Sequence, residues 1–130
     1  MAQNCPCGSG DTYEECCGPI HRHVIDAPTA VTLMRARYSA FVGHDEAFLS
    51  WSWHPDHRPP EVRVQGDEMW TGLEILATRN GRPDDDKGTV EFIARFVSGG
   101  APRTLHEVSR FVRLDDRWVY LEGRNVGLTP

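Results

Sequence analysis

Three features are missing from this chain. No stretch approaches the roughly 20 consecutive apolar residues that a helix needs to cross a bilayer. The first residues contain no basic segment followed by an apolar run, so we expect no secretory leader. Positive charge is not in excess, because 14 Lys and Arg oppose 19 Asp and Glu and leave a formal net charge of −5. We therefore expect a cytoplasmic protein that binds neither membranes nor nucleic acids.

Cysteine is also absent from residues 18–130, although the chain contains four cysteines: Cys5, Cys7, Cys16 and Cys17. This absence argues against a disulfide scaffold, whose bridges would join distant loops. A bridge between the adjacent Cys16 and Cys17 would close a strained ring. Clustered thiols in a reducing compartment therefore predict a metal site.

The residues between the cysteines favour a chain reversal. Pro6 stiffens the backbone between the first two thiols, and the segment Gly8–Gly10 permits a sharp turn. Asp11 and Glu14 have the spacing of a capping box, which predicts a short helix over residues 12–17, ended by the glycine that follows. The second pair of cysteines can then face the first pair.

Four thiolates fill a tetrahedral shell and leave no open position for water or substrate. The pattern therefore predicts one structural Zn²⁺ per chain, with an iron–sulfur centre, redox thiols and inert cysteines as the alternatives. Metal binding would supply most of the folding energy of so short a segment. His21 and His23 follow the cluster. We expect them to be solvated linker residues rather than replacements for a cysteine ligand.

The N-terminal pattern closely resembles the SEC-C motif. The resemblance rests on the run Cys5-Pro6-Cys7-Gly8-Ser9-Gly10, on Tyr13, and on Cys16-Cys17-Gly18. The SEC-C motif is a zinc-binding element of the SecA translocation ATPase and of many otherwise unrelated proteins. In SecA its last ligand is usually histidine, and here Cys17 takes that place. The resemblance implies a protein partner that contacts the zinc-binding segment, residues 1–25, called the zinc knuckle below.

The rest of the chain predicts helices first and strands afterwards. We expect a helix over residues 27–42, capped by Asp26 and ended by Gly43, and a second helix capped by Asp45 that stops at His54-Pro55. Four strands are expected, and the last three form an antiparallel meander; the strands cover residues 69–79, 89–98, 105–114 and 118–122. Gly99–Pro102 should break the chain between two of them, and Asp115-Asp116 should form a tight turn. This order indicates an α+β fold. We expect its core to be separate from the metal segment, so that residues 27–124 survive metal removal.

This order resembles the nuclear-transport-factor-2-like (NTF2-like) fold, in which helices cover a curved antiparallel sheet and leave a cone-shaped cavity. Specific runs resemble the YchJ family; they are Leu33–Phe41, Trp53–Pro55, Trp70–Leu73, Val90–Phe96, Ser109–Phe111 and Trp118–Tyr120. The resemblance implies two units: a SEC-C-type zinc-binding segment over residues 1–25 and an NTF2-like domain over residues 26–130.

Ten residues are candidates for the wall of such a cavity: Arg37, Tyr38, Trp53, His54, Glu91, Arg95, His106, Glu107, Arg110 and Tyr120. Period-two alternation places Glu91 and Arg95 on one face of the sheet, and it places His106 and Glu107 on opposite faces. Packing, solvent exposure or cross-strand pairing would explain these side chains without any function.

Two functions therefore stand as hypotheses. The first is a zinc-stabilised binding or adaptor module that contacts a protein through the knuckle and takes a small ligand in the cavity. The second is a small enzyme in which Glu91 or Glu107, beside His106, forms an acid–base pair in the cavity. The sequence has no nucleophile elbow, no phosphate loop and no open metal site, which favours the first hypothesis.

Overall fold

Four antiparallel strands form one sheet in their order along the chain. The computed structural model describes residues 3–64 and 68–129, and the side chains among them as far as residue 126. Three helices precede the sheet: α1 (Cys17–His21), α2 (Ala30–Val42) and α3 (Glu46–Trp51). The strands are β1 (Met69–Asn80), β2 (Lys87–Ser98), β3 (Ala101–Leu114) and β4 (Arg117–Thr129). The predicted α+β class is confirmed.

The predicted division at residues 25/26 stays a prediction, and positions 1–2, 65–67 and 130 of the two predicted units lie outside the described residues. No helix in the described part of the chain is long and apolar enough to span a membrane.

The hairpin turns are shorter than the sequence suggested. Only Gly99 and Gly100, both at positive φ, connect β2 to β3, so the predicted break through Pro102 is wrong. Pro102 pairs with Val97 of β2, whereas β3 pairs with β4 only from Thr104 onwards in the described residues. Proline lacks an N–H and is tolerated where a strand has a free side. The predicted Asp115-Asp116 turn is confirmed, with φ values of 50° and 68°.

Helix α2 begins three residues later than predicted. Its N-cap is Thr29, whose hydroxyl accepts a hydrogen bond from the Thr32 N–H at 3.2 Å, and Asp26 lies outside the helix. Pro28 explains the shift, because a residue that precedes proline avoids helical dihedrals. The predicted end at Gly43 is confirmed.

Helix α3 is capped as predicted but ends early. The Asp45 carboxylate accepts a hydrogen bond from the Phe48 N–H at 3.0 Å. The helix stops at Trp51, not at His54, because the next residues leave it to run beside β4. The Tyr120 N–H donates to the Ser52 carbonyl, and the His54 N–H donates to the Tyr120 carbonyl, both at 2.8 Å. This segment places Trp53 against the sheet.

The helical part of the cysteine segment differs from the prediction. The chain forms a 3₁₀ turn at Tyr13–Glu15, breaks at Cys16 and then forms α1, so Asp11 caps nothing. Gly18 lies inside α1 and does not end it. A Cβ at Gly18 would lie 2.7 Å from the Tyr13 carbonyl oxygen. The glycine therefore permits close packing of the two helical pieces.

A single apolar core runs through both parts of the molecule. Cys5, Cys7 and Cys17 belong to the same buried cluster as Leu33 of α2 and Trp118 of β4. The expectation that the domain has a core separate from the metal segment is therefore wrong. The reason is that α2 packs on both: one side of the helix contacts the cysteines and the other side contacts the sheet.

Candidate metal centre and cavity

A small hairpin brings the first two cysteines together. Asn4 and Thr12 form an isolated antiparallel bridge, and the Cys5 N–H donates to the Asp11 carbonyl at 2.8 Å. Gly8 and Gly10, at φ of 80° and 92°, make the reversal that the sequence predicted. Positive φ at these positions favours glycine over other residues.

The four cysteine sulfurs converge at the base of this hairpin. All four Sγ atoms lie within 4.8 Å of one another, and the Cys7 and Cys17 side chains are fully buried. The Sγ atom of Cys16 lies 3.6 Å from that of Cys7 and 3.9 Å from that of Cys17. A tetrahedral Zn²⁺ with four thiolates separates its sulfurs by about 3.8 Å. The donor set and its spacing therefore fit one tetrahedral ion.

The thiols also affect one another's ionisation. The hydrogen bond from the Cys17 thiol lowers the pKa of Cys7 to about 4, and the same contact raises the pKa of Cys17. Burial raises the pKa of Cys16. One thiolate is thus stabilised by its neighbours, whereas four adjacent thiolates require a cation to offset their repulsion.

Two polar side chains of α2 hold the cluster from outside. The Ser39 hydroxyl donates to Cys17 Sγ at 3.3 Å and lies 3.5 Å from Cys5 Sγ. The Arg35 guanidinium donates to the Cys7 carbonyl at 2.8 Å. Hydrogen bonds of this kind orient metal ligands and tune their basicity.

Of the two histidines after the cluster, His21 is structural, so the expectation of a solvated linker residue is wrong for it, whereas His23 is exposed. The half-buried His21 lies in α1, with Nδ1 2.7 Å from the Tyr13 hydroxyl and Nε2 2.7 Å from the Ala36 carbonyl oxygen. Both ring nitrogens are engaged, so neither is available to a metal. His23 is exposed, and its ring packs edge-on against Trp51 with centroids 4.4 Å apart.

A second feature is a cavity of about 260 Å³ between α2 and the concave face of the sheet. Five of the ten predicted wall residues line it: Arg37, Tyr38, Trp53, Glu107 and Tyr120. The other lining residues were missed by sequence reasoning; they are Met34, Phe41, Trp70, Phe92, Ala94, Leu105 and Ser109. Phe92 and Ala94 lie two positions apart in β2, and Leu105, Glu107 and Ser109 have the same spacing in β3, so this spacing indicates that each set shares one face. The sequence alone does not say which face is concave.

The remaining five predicted wall residues, His54, Glu91, Arg95, His106 and Arg110, do not line the cavity. The predicted alternation itself is confirmed, because Glu91 and His106 meet on the convex face, with Nε2 and Oε2 2.7 Å apart. Arg95 and Arg110 form cross-strand ion pairs with glutamates at 2.9 Å and 2.6 Å. The convex face thus carries paired charges, as expected of a solvated sheet surface.

One end of the cavity is polar. Arg37, only 4% exposed, donates to the Leu49 carbonyl at 2.9 Å and to the Ser52 hydroxyl at 2.6 Å. Its guanidinium lies 4.2 Å from the centroid of the Tyr120 ring. Burial lowers the pKa of Arg37 to about 10, so the group stays charged at neutral pH. Burial also raises the pKa of Tyr120 to about 12, and it raises the pKa of Glu107.

Gly123 makes room for the Glu107 carboxylate. Gly123 lies opposite Ser109, after a bulge in β4 that shifts the register between Arg110 and Phe111. A Cβ at Gly123 would lie 1.9 Å from Glu107 Oε1 and 2.9 Å from the Tyr120 hydroxyl oxygen. The carboxylate and the phenol therefore converge over the missing side chain.

The comparisons with known proteins cover both parts of the chain. A model of the SEC-C motif matches residues 1–19, and a model described as the YchJ middle NTF2-like domain matches residues 29–123. A UPF0225 protein of Streptomyces avermitilis is 51% identical over 92% of this chain and 83% of its own length. A UPF0225 protein of Geobacter sulfurreducens is 40% identical over 100% of this chain and 84% of its own.

Two solved structures are similar. The solution structure of a SEC-C motif containing protein from Rhodopseudomonas palustris has a TM-score of 0.82 and 32% identity, over 96% of this chain and 100% of that one. The crystal structure of a SEC-C motif containing protein from Psychrobacter arcticus has a TM-score of 0.74 and 28% identity, over 92% of this chain and 81% of that one. The NTF2-like fold is thereby confirmed.

Proposed function

The chain belongs to the UPF0225 family, with a SEC-C motif followed by a YchJ-type NTF2-like domain, and from this premise we propose that it is a binding module whose knuckle holds one structural Zn²⁺ and presents an acidic surface to a protein partner. The observation that carries the proposal is the convergence of four cysteine sulfurs within 4.8 Å of one another.

The sulfur spacing favours a single ion over a cluster. An iron–sulfur cluster would hold its cysteines further apart, because several irons and sulfides would lie between them. Four thiolates with tetrahedral spacing are the ligand set of structural zinc sites. With Cys5, Cys7, Cys16 and Cys17 as ligands, the ion has no free position and does no chemistry on a substrate.

The metal content tests this assignment. We expect the purified full-length protein to contain one zinc and no iron per chain by elemental analysis, and Cys16→Ser to lose most of that zinc because three thiolates bind more weakly than four. Ser50→Ala, a change in α3 away from the cluster, should keep one zinc. Iron in the wild-type protein, or full zinc occupancy in Cys16→Ser, would contradict the assignment.

The exposed rim of the knuckle carries acidic side chains. Asp11, Glu14 and Glu15 are exposed beside the cysteine hairpin, and Glu14 pairs with Arg22 at 3.2 Å. An acidic rim on a chain of net charge −5 favours a partner with a basic surface. The partner is thus expected to contact the knuckle through charge complementarity.

Charge reversal tests the partner. We expect a basic protein to co-purify with the wild-type protein from its native cells, and the double variant Asp11→Lys/Glu15→Lys to reduce its recovery at least roughly tenfold. The matched control is Asp56→Lys/Asp84→Lys, which reverses two exposed acids elsewhere. Recovery that falls equally with both double variants would show a general charge effect and contradict docking at the knuckle.

The enzyme alternative lacks its acid–base pair. Glu107 lines the cavity, but His106 and Glu91 meet on the opposite face of the sheet. A carboxylate and a histidine within hydrogen-bond reach of the same substrate are what that hypothesis requires. The geometry therefore supports binding.

A further inference from the structure

We propose that the cavity is a binding site for a small, neutral, monocyclic compound that carries one hydroxyl group, such as a phenol. This inference concerns the cavity and is independent of the metal and of the partner at the knuckle. It rests on the size of the cavity, on its apolar walls and on the two polar groups at one end.

The size and walls define the body of the ligand. About 260 Å³ lies just below the usual range for drug-sized molecules, which begins at about 300 Å³. The walls away from the polar end are apolar or aromatic, with Met34, Phe41, Trp70, Phe92 and Leu105 among them. A single ring fits this volume, and aromatic walls favour contact with the face or edge of an aromatic ring.

The polar end defines the functional group. Among the described residues, the Glu107 carboxylate accepts the weak 3.4 Å hydrogen bond from Ser109 and keeps further acceptor capacity, and the nearby Arg37 guanidinium offsets its charge. The Tyr120 hydroxyl converges with it over Gly123. A hydroxyl group both donates and accepts, so one ligand oxygen can donate to Glu107 and accept from Tyr120.

The charges exclude the other common head groups. A carboxylate on the ligand would be repelled by Glu107, and this repulsion would offset its attraction to Arg37. An ammonium group would be attracted to Glu107, but it would lie near the Arg37 guanidinium and would offer no acceptor to Tyr120. A neutral hydroxyl group satisfies both polar side chains without adding a charge.

The test compares four ring compounds on the full-length protein as purified. We expect para-cresol to bind saturably, with NMR shifts at the amides of Phe92, Leu105 and Glu107, and to bind roughly tenfold more tightly than toluene, which lacks only the hydroxyl group. Benzoate and benzylamine should bind more weakly than para-cresol. Absence of saturable para-cresol binding, or an equal or higher affinity for any of the other three compounds, would overturn the proposal.

Three variants test where the hydroxyl group of the ligand binds. Tyr120→Phe should remove most of the preference for para-cresol over toluene, and Glu107→Gln, which keeps one weaker acceptor oxygen, should reduce it. Gly123→Ala should do the same without changing a polar group, because the added Cβ displaces the carboxylate. The control is Glu91→Gln, which changes a carboxylate on the convex face and should leave the preference intact. If Glu107→Gln does not fold, Tyr120→Phe decides, and an unchanged preference in that variant would refute the site.

Discussion

Removal of the proposed zinc is expected to destabilise the whole protein and not only the cysteine segment. A strong chelator under reducing conditions should lower the Tm by at least about 15 °C and should shift all probes together. A structural zinc contributes on the order of 10 kcal/mol to the segment that it organises. A whole domain has a free energy of unfolding of about 5–15 kcal/mol. Even partial transmission of the zinc contribution to the sheet is therefore a large effect.

The contacts that transmit this effect are on α2 and α3. On α2, Arg35 donates a hydrogen bond to the Cys7 carbonyl and Ser39 donates one to Cys17 Sγ. The Ala36 carbonyl oxygen lies 2.7 Å from Nε2 of His21. The His21 ring packs against Phe48 with centroids 4.7 Å apart, and Phe48 is only 2% exposed. When the cysteine segment unfolds, this surface of the two helices becomes exposed to water, which costs apolar burial at about 25 cal/mol per Å².

Hydrogen exchange distinguishes the coupled from the uncoupled outcome. We expect the amides of Val90 and Val119, both fully buried in the sheet, to lose protection on chelation together with the amide of Cys5. Addition of zinc should restore all three. Protection that persists at Val90 and Val119 while it is lost at Cys5 would mean that the sheet and its helices fold without the metal.

Replacement of Arg37 is expected to have the second largest effect. Arg37→Met should lower the free energy of unfolding by about 3 kcal/mol, because it removes the buried charged donor of the Leu49 carbonyl and the Ser52 hydroxyl, and the carbonyl then keeps the weaker 3.3 Å hydrogen bond from Ser52. Methionine roughly keeps the volume of the side chain, so the loss reports hydrogen bonds more than a cavity. Urea denaturation monitored by circular dichroism measures it.

The free energy of unfolding of Arg37→Met is compared with that of two matched variants. Arg79→Met changes an exposed arginine of β1 and should alter the free energy of unfolding by less than about 0.5 kcal/mol. Both hydrogen bonds come from Nη1 of Arg37, and the lysine variant keeps the charge but loses the planar guanidinium that packs over the Tyr120 ring, so Arg37→Lys should lie between wild type and Arg37→Met. A loss of less than about 1 kcal/mol in Arg37→Met would show that the hydrogen bonds of this side chain contribute little.

Features that depend on neighbouring residues could be predicted from the sequence. The Asp45 cap, the end of α2 at Gly43 and the Asp115-Asp116 turn all follow from local dihedral and hydrogen-bond preferences. One error arose at a residue with two local interpretations. Gly18 suits a helix end equally well, and its actual role, close packing against the Tyr13 carbonyl, depends on a neighbouring turn.

The face of the sheet that lines the cavity could not be predicted from the alternation of side chains. Alternation correctly separated His106 from Glu107, but it did not say which of them faces the concave side. That choice depends on where α2 packs and on the β4 bulge that places Gly123 opposite Ser109. Contacts between residues far apart along the chain decide it, and the period of the side chains carries no information about them.

The cluster of four thiols and the order of helices and strands therefore follow from local patterns, because the spacing of cysteines and the period of apolar residues act over a few positions. No local pattern predicts that the cysteine segment shares its core with the sheet, or that Glu107 and Tyr120 meet over Gly123. The first outcome results from the packing of α2 between two surfaces, and the second from the β4 bulge that places Gly123 opposite Ser109. Both depend on contacts between residues far apart along the chain.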